Sequence, residues 1–155
     1  MKSKLVLGAI AIVLAIVLAN LFIVFSRRGE LAVAELTVGD CLAEFYESGS
    51  QFVEPVQCST NHVQEVVGST PDDLATELGA SVSDFPEVSE LNDIATELCV
   101  AEFNSYTGLE YSTAEFLVTG ITPDAEAWES GDRAIVCLAS NADLSPIEGS
   151  LAFST

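Results

Sequence analysis

The sequence predicts an α+β domain with a mainly antiparallel sheet and one long helix, carried behind an N-terminal transmembrane helix and stapled by disulfides. Three observations predict it. One apolar run, Leu5 to Phe25, precedes every carboxylate in the chain, the first of which is Glu30. Four cysteines, Cys41, Cys58, Cys99 and Cys137, all follow that run. Beyond it, strand-like stretches come first, then one clear helix, then strands again, the element order of an α+β fold.

At helical rise the apolar run covers roughly 31 Å, about the hydrocarbon thickness of a bilayer. A secretory signal has a shorter core with a small-residue cleavage site close behind it. Here Ala32-Val33-Ala34 comes well after the run and behind Arg27-Arg28, so the run reads as an uncleaved signal-anchor. Lys2 and Lys4 stand on one side and two arginines on the other, and this charge balance leaves the orientation weakly fixed. The cysteines settle it, because four of them in a small domain imply disulfides and an oxidising compartment. The chain therefore divides into a cytoplasmic 1–4, a single span 5–25, a juxtamembrane connector 26–36 and an extracytoplasmic domain 37–155. The membrane is its first expected partner.

Three cysteine pairings are open. Cys41 with Cys58 and Cys99 with Cys137 is the favoured one, since the first pair brackets a hairpin-like stretch and the second can tie a helix to a late strand. A zinc site would bring its cysteines in close pairs, which this sequence lacks, so no metal and no cofactor is assigned. From Glu30 onward the 24 carboxylates face one base, Arg133. Such a charge excludes nucleic acid and anionic lipid surfaces as partners and favours cations.

Within the domain, Thr37 to Phe45 and Phe52 to Cys58 read as two strands around the turn Glu47-Ser48-Gly49-Ser50. His62 to Gly68 reads as a third. The acidic stretch from Thr70 to Asp84 offers at most a short helix at 72–78. Asp84-Phe85-Pro86-Glu87 suggests an N-cap for the long helix, whose Val88, Leu91, Ile94, Ala95, Leu98, Cys99 and Phe103 recur at helical spacing. Gly108 ends it. Phe116 to Ile121 reads as a strand, Thr122-Pro123-Asp124 as the start of a short helix carrying Trp128, Arg133 to Ala139 as a buried strand, and Ile147 to Phe153 as a final one.

Few residues offer chemistry. His62, the one histidine, lies close to Glu65 and could act as a base with a carboxylate orienter, although such a histidine more often satisfies local hydrogen bonds. No Gly-x-Ser-x-Gly occurs and the cysteines are expected to be oxidised, so no catalytic residue and no enzymatic activity is assigned. Arg133 should find a carboxylate, Asp40 or Asp132, and Trp128 should pack in the core. Asp72, Asp73, Glu77, Asp84, Glu87, Glu90 and Asp93 form an acidic run that lacks the alternating pattern of a calcium loop and offers only weak divalent-cation contacts.

Taken together, Gly39-Asp40-Cys41, then Val56-Gln57-Cys58 with His62 and Glu65-Val66-Val67-Gly68, then Cys99 on a helix, then Trp128-Glu129-Ser130-Gly131-Asp132-Arg133 leading to Cys137, and finally Gly149-Ser150-Leu151, resemble the septum-formation domain family of membrane-anchored actinobacterial proteins. The resemblance covers about residues 38–152. It implies a link to cell division and the cell envelope, and brings no activity or ligand with it. The expectation is therefore an envelope binding module that contacts division or wall-synthesis proteins. An acidic cation-interacting domain is the alternative, and a wall-acting hydrolase using His62 a more distant one.

Overall fold

A computed structural model of the chain describes residues 29–70, 84–111 and 115–153. The expected span 5–25, the short helix at 72–78 and the carboxylates Asp72, Asp73 and Glu77 lie outside the described residues. Among the described residues no helix is long and apolar enough to cross a membrane.

Leu31–Thr155 forms one compact unit. Its elements are β1 (Leu31–Ala32), a 3-10 turn (Val33–Glu35), β2 (Cys41–Leu42), β3 (Phe52–Val53), β4 (Pro55–Val56), β5 (Gln64–Thr70), α1 (Val88–Thr107), β6 (Phe116–Ile121), α2 (Ala125–Glu129) and β7 (Ile135–Asn141). β1 and β3 make a small two-stranded sheet, and the main sheet runs β4-β2-β5-β7-β6 with every pair antiparallel. The expected α+β architecture is present.

The sheet is apolar on both faces, which is why β5 and β7 are buried along nearly their whole length rather than alternating. One face, with Val67, Ile135, Cys137 and Ala139, takes α1 through Leu91, Ala95, Cys99 and Phe103. The other holds Leu36, Leu42, Val66, Val136 and Leu138, with Leu31 and Val33 packed against them. Residues 31–36, read in the sequence as the end of the connector, thus contribute to the folded unit. A register shift between Val66 and Gly68 sets β5 against β7. At Gly68 a β-carbon would stand 2.4 Å from Cβ of Glu102, and at Gly120 one would stand 2.7 Å from Cβ of Ala95. Both glycines let the helix lie directly on the sheet.

Four expectations change in detail. The first strand shortens to Cys41–Leu42, because Thr37 to Asp40 forms a turn in which the Asp40 carboxylate accepts from the backbone N–H and hydroxyl of Thr37. The second divides, β3 joining the small sheet and β4 the main one. The long helix begins at Val88 with Glu87 as N-cap and no side-chain cap bond, so Asp84 stands too far upstream to cap it; Phe85 packs edge-on against Trp128. The final strand does not form. Ile147 makes a single bridge to His62, Gly149 then turns the chain at φ 77°, and the segment that follows is held mainly by side chains. By contrast α2 starts at the Thr122-Pro123-Asp124 signal read from the sequence, with Asp124 as its cap, the carboxylate accepting from the N–H of Ala127.

Candidate functional site

The two disulfides are Cys41–Cys58 and Cys99–Cys137, the pairing favoured from sequence. They occupy different places. Cys99–Cys137 bolts α1 to the sheet opposite Gly120, within the cluster that also contains Trp128. Cys41–Cys58 closes the β2–β4 hairpin end, and Cys41 lies directly across the ladder from Glu65.

Glu65 is the centre of the site. It is fully buried on the central strand, yet its carboxylate has a donor for each oxygen. The Tyr106 hydroxyl donates to Oε1 at 2.6 Å and the Ser150 hydroxyl to the same oxygen at 2.7 Å, while the backbone N–H of Leu151 donates to Oε2 at 2.8 Å. A carboxylate inside a protein persists only with such partners. Three segments far apart in the chain therefore converge on one side chain: β5, the last turn of α1, and the C-terminal segment.

His62 completes the cluster. Its Nδ1 faces the carbonyl of Thr60 at 3.0 Å, an acceptor only, which places the ring hydrogen on Nδ1. Nε2 then points at Glu65 Oε2 from 3.5 Å, close enough for electrostatic attraction once a proton sits on it but too long for a good hydrogen bond. Nε2 is accordingly a buried nitrogen without a hydrogen-bond partner. The His62–Glu65 neighbourhood read from the sequence is real. Burial, then the bond to Glu65 and its charge, hold the Tyr106 hydroxyl above the ordinary tyrosine range, and the Ser150 contact opposes this. Cys41, His62 and Glu65 each bring one ligand-type atom within 4.8 Å of the others, all three residues being buried.

Trp128, Asp132 and Arg133 gather elsewhere. Arg133 lies over the Trp128 ring with Cζ 3.5 Å from its centroid, and one guanidinium nitrogen donates to the carbonyls of Trp128 and Asp132, both at 2.7 Å. Among the described residues neither expected carboxylate, Asp40 or Asp132, forms an ion pair with it. Asp132 accepts from the N–H of Ala134 and Asp40 from Thr37, so both carboxylates are used in local turns. The carbonyls at the end of α2 and the indole face serve the cation instead.

A family model described as Septum formation matches residues 38–152. The chain belongs to that family. The Septum formation match spans both disulfides and every residue of the Glu65 cluster. Neither a curated protein nor a solved structure matches the chain. Of the Septum formation residues, sequence reasoning found His62, Glu65 and the four cysteines but missed Tyr106, and it saw Ser150 and Leu151 only as part of a motif. The available signal was a tyrosine on the apolar stripe of α1 and a Gly-Ser-Leu following the last strand.

Proposed function

We propose that the chain is a single-pass, membrane-anchored interaction module of the cell envelope that serves septum formation by contacting division or wall-synthesis proteins. Family membership over 38–152 is the observation that carries this reading. The apolar run 5–25 supports a cytoplasmic N-terminus and an extracytoplasmic domain. Two disulfides with no free cysteine among the described residues support an oxidising surrounding. The acidic surface favours partners that present cationic segments. The buried Glu65 cluster supports a binding rather than a reactive role, since the Glu65 carboxylate is spent on holding Tyr106 and the C-terminal segment to the sheet.

The test is live imaging of a fluorescent fusion at the N-terminus through the division cycle, with depletion of the protein in parallel. A midcell band and delayed septa are the expected result. Uniform membrane signal with normal septa would refute the septal role.

A further inference from the structure

Of the buried polar groups, the Cys41–His62–Glu65 cluster has a geometry that its structural duty leaves unexplained. His62 is 1 % exposed, and Nε2 faces Glu65 without a hydrogen-bond partner, with Cys41 in the same cluster. Each potential ligand is also held from behind. The Thr60 carbonyl fixes the ring through Nδ1, which leaves Nε2 as the inward lone pair. Tyr106 and Ser150 grip Oε1 of Glu65, and Leu151 N–H occupies one side of Oε2. Outer partners of this kind, a carbonyl behind a histidine and donors behind a carboxylate, are what orient metal ligands.

The spacing agrees with this. Sulfur, nitrogen and oxygen ligands at about 2.0–2.3 Å from a tetrahedral ion stand roughly 3.3–3.8 Å apart. His62 Nε2 and Glu65 Oε2 are already 3.5 Å apart, and the full set lies within 4.8 Å, a contraction of side chains rather than backbone away. What closes the site is the disulfide, which commits the Cys41 sulfur to Cys58. Among the described residues no other three such side chains come together.

We propose that reduction of Cys41–Cys58 opens a buried zinc-type site whose protein ligands are the thiolate of Cys41, Nε2 of His62 and Oε2 of Glu65. A dithiol reductant gives two electrons to the S–S bond, leaving two protein thiols and an oxidised cyclic disulfide. The cation then displaces the proton of the Cys41 thiol. One sulfur, one imidazole and one carboxylate suit Zn²⁺, with a fourth position left for water, while magnesium and calcium prefer oxygen alone. The oxidised domain is closed to the ion and the reduced domain is open to it.

Cys58→Ser frees the Cys41 thiol without a reductant and leaves Cys99–Cys137 in place. Titration of this full-length variant in detergent with Co²⁺ should give one bound ion and a sulfur-to-cobalt charge-transfer band. That band should disappear when His62→Gln is added, and Tyr106→Phe should weaken affinity about 10–100-fold. Oxidised wild type should show no such band. A folded Cys58→Ser chain without the band, or a band indifferent to His62→Gln, would overturn the proposal. For the case of a variant that does not fold, wild type is reduced with a phosphine and alkylated with and without Zn²⁺. Slowing of Cys41 alkylation by about tenfold or more, on the order expected for a buried metal thiolate, supports the site; equal rates refute it.

Discussion

Replacing Glu65 by alanine should be the most damaging single polar substitution in this domain, and its cost can be worked from the bonds it breaks. Three donors lose their acceptor, and hydrogen bonds to a charged group contribute about 1.5–3 kcal/mol each. The hydroxyls of Tyr106 and Ser150 are near enough to solvent to regain water, so their loss is partly recovered. Leu151 N–H and the facing His62 ring are less fortunate. The expected cost is about 3–5 kcal/mol, the range for breaking a buried charged network, and a large part of a small domain's stability. Glu65→Gln separates charge from shape. Its amide oxygen can keep Tyr106 and Ser150, and its NH₂ opposes Leu151 N–H but can donate to His62 Nε2, so about 1–2 kcal/mol is expected. Urea unfolding of the full-length chain, followed by Trp128 fluorescence, measures both. An alanine cost below about 1 kcal/mol, or a glutamine cost equal to the alanine one, would refute the assignment of Glu65 as the clamp.

The remaining predictions concern separate features. Burial and Glu65 hold the Tyr106 hydroxyl above its usual 10.0, so the unfolded chain loses that proton first; stability should be level below about pH 10 and fall as pH rises through the folded value. Tyr106→Phe should flatten that fall, which urea midpoints across alkaline pH will read. Gly68→Ala should cost about 1–3 kcal/mol, since its methyl would meet Cβ and Cγ of Glu102 at 2.4 and 2.5 Å; an unchanged thermal midpoint would mean that α1 can shift off the sheet. Arg133→Ala should cost about 1–2 kcal/mol through lost stacking on Trp128 and two abandoned carbonyls, and should alter Trp128 emission. Arg133→Lys should recover little of this, because an ammonium cannot lie flat on the indole while reaching both oxygens.

How much of this was legible in the sequence depends on the range of the interaction concerned. The α1 stripe of Leu91, Ala95, Cys99 and Phe103, the helix start at Thr122-Pro123-Asp124 and the stop at Gly108 are local, and all are as the residues predict. The disulfide pairing was readable because hairpin and helix–strand proximity follow from element order. The N-terminal strands were over-extended, since a turn built on the Asp40 side chain competes with strand pairing and alternation does not reveal it. The last strand was misjudged for a related reason: Ile147 to Phe153 has strand-like composition, but its anchors are Glu65 and Tyr106 rather than a neighbouring ladder. The site itself was half visible. His62 and Glu65 are three residues apart, whereas Tyr106 and Ser150 reach Glu65 only through the fold.

The strand order also bears on how the protein is made. β5 pairs on one side with β2, which precedes it closely, and on the other with β7, which comes only after α1, β6 and α2. A chain emerging from its N-terminus can complete the β4-β2-β5 half and close Cys41–Cys58 early. It then presents β5 as an open, apolar edge until β7 arrives, the most association-prone moment of its biogenesis. Cys99 waits through the same interval for Cys137. Early closure of the first bridge removes the two thiols with which Cys99 could mispair, so the order of the cysteines along the chain acts as a safeguard for the order of assembly.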